Sequence, residues 1–225
     1  MGPKPALTLE RIADAAVAIA DADGIAAVSM QRVAAEFAYT KMSLYRYFTS
    51  KDEWIAAMID RAVGDAPVLD AVPGWRPRLE AWTTLLAETW ERHPWLPRAT
   101  MGDRAMGRNE IAWIERAIDT LADTLLAPSE QMAVVLLICG HIRNTHSTST
   151  AGTEPWSGGR QRELVHVHGD VFPALERVLE SGADEVSDRG RAFGLTCILG
   201  GVEAILAERT PRPRTRRTAN KANKR

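Results

Sequence analysis

Apolar residues recur along this chain at steps of three and four, the spacing of an α-helix with one buried face. Leu9, Ile12, Ala16 and Ile19 keep that period after Thr8, whose hydroxyl suits an N-cap, and Gly24 closes the segment. Ser29 opens a second, short helix to about Glu36, with Met30, Val33 and Ala34 inward. Thr40 opens a third from about Lys41 to Phe48. Ser50 followed by Glu53 makes a capping box, and the helix it starts carries Trp54, Ile55, Met58, Ile59 and Val63.

Gly64 to Gly74, with Pro67 and Pro73, then breaks the pattern and reads as a linker. Longer helices are predicted beyond it at about 75–92, 108–126, 130–146, 160–181 and 185–208, with a short one near 95–102. Residues 147–159 are rich in Ser, Thr and Gly and read as a long loop. No strand-like alternation is sustained. The pattern predicts an all-α fold of two units, 1–63 and 75–208, joined by 64–74.

Composition narrows the class. The chain of 225 residues is 45% hydrophobic and 25% charged, enough for a sizeable core. No uninterrupted apolar run approaches the roughly 20 residues of a membrane span, and Met1 to Leu9 lacks the core of a signal peptide. Cys139 and Cys197 are too few for a disulfide scaffold, so a reducing cytoplasm is expected. The net charge of -1 conceals a division: residues 209–225 hold eight basic groups and no acid, leaving -9 on residues 1–208. That basic tail, with Pro211 and Pro213, is expected to be disordered, with a non-specific phosphate contact as the sharper option.

The informative stretch is Gly24 to Trp54. Two capped helices separated by a turn of about four residues form a helix-turn-helix, whose second helix places its N-terminal side chains in the DNA major groove. Met42, Leu44 and Phe48 can face the preceding helices, leaving Lys41, Ser43, Tyr45 and Tyr47 to project elsewhere. All three tyrosines, Tyr39, Tyr45 and Tyr47, lie here, and Lys41, Arg46 and Lys51 meet no acid between Thr40 and Lys51. Hydroxyls with Lys and Arg suit phosphate positioning. A solvated helical hairpin with aromatics in its core meets the same composition.

The order Ala34-Ala35-Glu36, a turn, Met42-Ser43-Leu44-Tyr45-Arg46-Tyr47-Phe48 and then Lys51-Asp52-Glu53 resembles the tetracycline-repressor (TetR) family over residues 8–63. Gly74-Trp75-Arg76-Pro77-Arg78-Leu79 and Arg92-His93-Pro94-Trp95-Leu96 are also similar to members of that family. The resemblance implies that Gln31 contacts a base and that Lys41, Met42 and Ser43 meet base edges or a thymine methyl. It implies phosphate contacts from Thr40, Tyr45, Tyr47 and Lys51. Two positions depart from the family: Ala38 stands at the usual turn glycine, and Tyr47 where His is commoner.

In the second unit, Trp75, Leu79, Trp82, Leu86 and Trp90 share a helix face. Core packing accounts for any one tryptophan, but five of seven fall within 75–113. The resemblance implies a pocket for a small ligand that weakens DNA binding, with Trp82, Trp90, Met101, Trp113, His141 and Asn144 as candidate walls, and Met106 beside them. Gly190, Gly194, Cys197 and Gly201 form a small-residue stripe, read either as intrachain packing or as a homodimer interface shared with the 130–146 helix; the family implies the latter. The histidine spacings match no zinc pair, and no nucleotide or catalytic motif is present, so no metal, cofactor or enzymatic activity is expected. The sequence thus predicts a homodimeric regulator that binds palindromic double-stranded operator DNA and is released by a small-molecule inducer. The alternative is a helical binding or enzymatic protein in which the helix-turn-helix is only structural.

Overall fold

The computed structural model describes residues 7–149, 159–181 and 188–210. Among them every regular element is helical. The first helix, α1 (Leu9–Asp23), starts where the Thr8 hydroxyl accepts the Arg11 amide at 3.3 Å and ends at Gly24, whose φ of 81° reverses the chain. A single 3-10 turn, Ile25–Ala27, leads to α2 (Met30–Glu36), capped by Ser29, and to α3 (Lys41–Leu44). Helix α4 (Lys51–Val63) opens on Ser50, whose hydroxyl accepts the Glu53 amide at 3.1 Å. Glu53 reaches back one residue further than a capping box requires, accepting the amide and hydroxyl of Thr49 at 2.7 Å each.

Three expected helices end or break early, and the 108–126 helix is one of them: it stops at Asp119 and continues as turns. The third helix stops at Leu44 and continues as turns through Tyr47. The expected 160–181 helix is two, α9 (Gly159–Val167) and α10 (Pro173–Glu180), and Pro173 is the reason. Proline has no N–H for the preceding turn and pushes Phe172 out of the helical region, here to φ -121° and ψ 48°. It is well placed at the first turn of α10.

The rest of the body comprises α5 (Trp75–Arg92), α6 (Leu96–Ala99), α7 (Arg108–Asp119), α8 (Pro128–Ser149) and α11 (Asp188–Arg209). One buried core runs through both halves: Ile12, Ile19, Val33 and Leu44 meet Trp54, Met58 and Ile59 of α4, and burial continues through Trp82 and Trp113 to Ile138 and Leu199. Within the expected linker, Leu69 is itself buried, and the Val72 carbonyl accepts Arg78 Nε at 2.7 Å.

The Gly190–Arg209 stretch of α11 is long and apolar enough to cross a membrane by length and composition, which corrects the expectation that no apolar run approaches that length; Arg191 and Glu203 interrupt the run. Its charged residues bind it to the helical body: Arg191 pairs with Glu91 at 3.1 Å and Glu203 with Arg76 at 2.6 Å. At its end Arg209 meets Glu130 at 2.6 Å and holds that carboxyl at a pKa of about 2. Arg209 therefore belongs to the helix; residues 211–225 of the expected basic tail lie outside the described residues.

Candidate nucleic-acid interface and ligand cavity

The turn between α2 and α3 is built from backbone hydrogen bonds. The Tyr39 amide donates to Ala34 O at 2.9 Å and the Ala38 amide to Ala35 O at 3.0 Å, a Schellman closure that needs a left-handed residue between them. That residue is Ala38, at φ 54°. Among the described residues it is the one non-glycine with positive φ. Its methyl group is strained there, by roughly 1–2 kcal/mol in an L-residue. Ala38→Gly is therefore expected to raise stability by about 1 kcal/mol, seen as a higher melting temperature; an unchanged or lower value would show that the turn has adapted.

This turn leaves the start of α3 exposed. Gln31, Thr40, Lys41 and Lys51 are solvent-facing, as are Tyr45 and Arg46. Met42 is 66% exposed, correcting the expectation that it packs on the earlier helices; only Leu44 and Phe48 of that trio are buried. The reason is the short helix, which turns one face inward at Leu44 and frees Met42. Thr40 makes no side-chain cap; its hydroxyl lies 3.2 Å from that of half-buried Ser43.

Tyr47 is also placed otherwise than expected. Its hydroxyl donates to the Leu7 carbonyl at 2.9 Å and the ring packs against the core. A phenol has one proton to donate. In this geometry Tyr47 fastens the segment ahead of α1 instead of donating to a phosphate.

A cavity of about 250 Å³ opens between α5, α7 and α8. Trp82, Trp90 and Trp113 line it, with Met106 beside them. Trp82 Nε1 donates to Trp113 O at 2.9 Å and Trp113 Nε1 to Gly64 O at 3.2 Å, so these indoles offer carbon surface inward and spend their N–H groups on the frame. Three expected wall residues lie elsewhere. Met101 is 63% exposed beyond the end of α6. Asn144 is on the outer side of α8. His141 turns to α11, where Nε2 lies 2.9 Å from Arg191 O.

The polar wall residues were not legible as such in the sequence. Arg104 pairs with Glu110 through both guanidinium nitrogens, one at 2.8 Å. Arg143 lies 5.7 Å from the centre of the Trp90 ring. Cys139 completes that side; burial pushes its thiol up to about 11 and keeps it protonated at neutral pH. Leu136, Cys139 and Arg143 share one face of α8 at helical spacing, but that spacing alone does not distinguish Arg143 from a solvated arginine.

A joint connects the cavity to the unit built from α1 to α4. Asp60 on α4 accepts the amides of Asn109 at 2.6 Å and Glu110 at 3.1 Å, capping the first turn of α7. Gly107 allows this approach, since a Cβ there would overlap the Asp60 side chain. A second tie joins Asp21 of α1 to His93 Nδ1 at 2.8 Å and Trp95 Nε1 at 2.7 Å.

The small-residue stripe divides. Gly194 faces inward, where a Cβ would collide with the His141 ring, so close packing of α11 on α8 within one chain explains this glycine. Added Cβ atoms at Gly190 and Gly201 meet nothing within 4 Å, and Cys197 is exposed. Phe193 beside them is 71% exposed.

Comparison with known proteins agrees with this geometry. Residues 6–58 match the family model described as bacterial regulatory proteins, tetR family, and residues 69–206 match the tetracyclin repressor-like C-terminal domain. The HTH-type transcriptional repressor DrrR1 of Streptomyces coeruleorubidus is 32% identical over 92% of this chain and 82% of its own. The TetR family protein ActR of Streptomyces coelicolor, crystallised in complex with actinorhodin, superposes with a TM-score of 0.77 at 25% identity, covering 93% of this chain and 100% of that one. The apo form of ActR gives a TM-score of 0.76 at 24% identity, again over 93% and 100%.

Proposed function

The chain belongs to the TetR family of bacterial regulatory proteins, and on that premise we propose how it acts, residue by residue. It is a DNA-binding, ligand-responsive transcriptional regulator, read here as a repressor. Residues 1–63 form the operator-binding head, 64–74 the connection, and 75–208 the body that binds ligand and dimerises. Lys41 and Met42 at the tip of α3, with Ser43 and Gln31, read base edges. Thr40, Tyr45 and Lys51 hold phosphates, the division of labour that separates register from specificity. The observation carrying this reading is the α2–α3 turn, which exposes that tip while its other face is buried.

The outward faces of α8 and α11, with Leu137, Phe193, Cys197 and Gly201 exposed, support a homodimer joined through those helices. Two heads would then read a palindrome in the cytoplasm, with half-sites roughly 34–36 Å apart. ActR's complex with actinorhodin supports the cavity among Trp82, Trp90 and Trp113 as the effector site here.

Selection of bound DNA from a random pool tests class and symmetry together. The expected result is one enriched palindrome; recovery of unenriched sequence at low salt only would reject operator recognition.

A further inference from the structure

The cavity carries an unbalanced charge. Arg104 and Glu110 neutralise one another, and the Glu110 amide is held by Asp60. Arg143 has no carboxylate partner among the described residues. Its Nε is buried without a hydrogen bond, and its guanidinium rests against Trp90. A buried donor left unmade is costly, so this group is suited to an acceptor that arrives with a ligand. Cys139 supplies no counter-charge, being a protonated thiol. The other walls are apolar (Val63, Leu86, Ile114 and the indole carbon surfaces) apart from Thr100, whose hydroxyl donates to Leu96 O at 2.8 Å.

The geometry points to an aromatic acid as the effector: a flat ring system bearing one ionised oxygen group, which Arg143 receives while the rings lie among Trp82, Trp90 and Trp113. This rests on the reading of the cavity as the effector site and adds the ligand's chemical class. A guanidinium meets a carboxylate with paired N–H donors, giving stronger bonds than neutral partners provide. Indole walls favour ring-on-ring contact. The volume of about 250 Å³ accepts two fused rings, since a cavity of roughly 150 Å³ already accepts benzene.

The test uses the full chain and three probes of one shape: 2-naphthoate, neutral 2-naphthamide and cationic 2-naphthylmethylammonium, each titrated by calorimetry. The naphthoate is expected to bind about 10- to 100-fold more tightly than the amide. Arg143→Met should weaken naphthoate to the level of the amide and leave the amide unchanged. Arg143→Lys, which keeps the charge without the planar fork, should retain part of the preference. Equal affinities in the wild type, tightest binding of the cation, or an intact preference in Arg143→Met would each overturn the inference. If the variants do not fold, the wild-type ranking decides. Should the amide bind and release operator DNA without any preference for the acid, the ligand class is wrong and the effector site stands. Should no probe bind, the ligand class is again rejected, and operator release by none of them removes support for the site itself.

Discussion

Replacing both Lys41 and Lys51 by glutamate is expected to lower operator affinity on the order of a hundredfold or more. The two lysines stand exposed at the first residues of α3 and α4, on either side of a segment that contains no acid. On the proposed assignment, reversal at Lys51 removes a phosphate partner and reversal at Lys41 a base-edge contact; each places a like charge against the DNA, and a dimer would repeat the loss on both half-sites. Removing a phosphate contact also reduces the slope of log affinity against log salt by about 1 per contact. Exposed substitutions of this kind move folding stability by about 0.5 kcal/mol or less. Binding measured as a function of salt on the selected operator, beside a melting curve, separates the two effects. Retention equal to wild type with an unchanged salt slope would exclude this surface as the DNA contact.

The second large effect concerns Asp60. Its carboxylate holds two amides of the first turn of α7, and charge-assisted bonds of that kind contribute about 1.5–3 kcal/mol each way one partner is removed. Asp60 acts as a cap for α7, and loss of a capping side chain costs about 0.5–2 kcal/mol, so Asp60→Ala is expected to destabilise the protein by up to about 2 kcal/mol and to loosen the tie between cavity wall and head. Glu110, whose amide Asp60 accepts, also pairs with Arg104 in the cavity wall, so a ligand that moves Arg104 pulls on α4 through this joint. Coupling between sites is reciprocal: the factor by which ligand weakens operator binding equals the factor by which operator weakens ligand binding. Ligand affinity measured with and without operator should show a smaller difference in Asp60→Ala than in wild type. An identical coupling free energy would place the lever elsewhere. Trp54 and Met58 are less discriminating probes of the same helix, because both are buried in the α1–α4 core and truncation would cost roughly 2–5 kcal/mol of folding first.

Local signals in the sequence reached as far as local physics does. The limits of α1 and α5 and the break at Gly64 followed from caps and period, and the strained Ala38 from its place in the motif. The end of α3 and the α9–α10 break were misread because turn residues Tyr45 to Tyr47 and the pair Phe172-Pro173 fit a helical hydrophobic period that backbone geometry interrupts. Tryptophans of the cavity were legible as a cluster. Arg104, Glu110 and Arg143 were not, because a charged residue on a helix reads as solvated until its tertiary neighbours are known. His141 and Gly194 were assigned to two different sites, and they are one contact between α8 and α11.

The hydrogen bond from Tyr47 to the Leu7 carbonyl fixes where the start of the chain leaves the fold. Leu7 thereby borders the surface that carries Lys41 and Tyr45, so bulk attached at Leu7 would compete with the DNA backbone for space and, if charged, alter the local field. For a reporter made from this chain, a label carried at Leu7 is therefore a label beside the proposed operator surface.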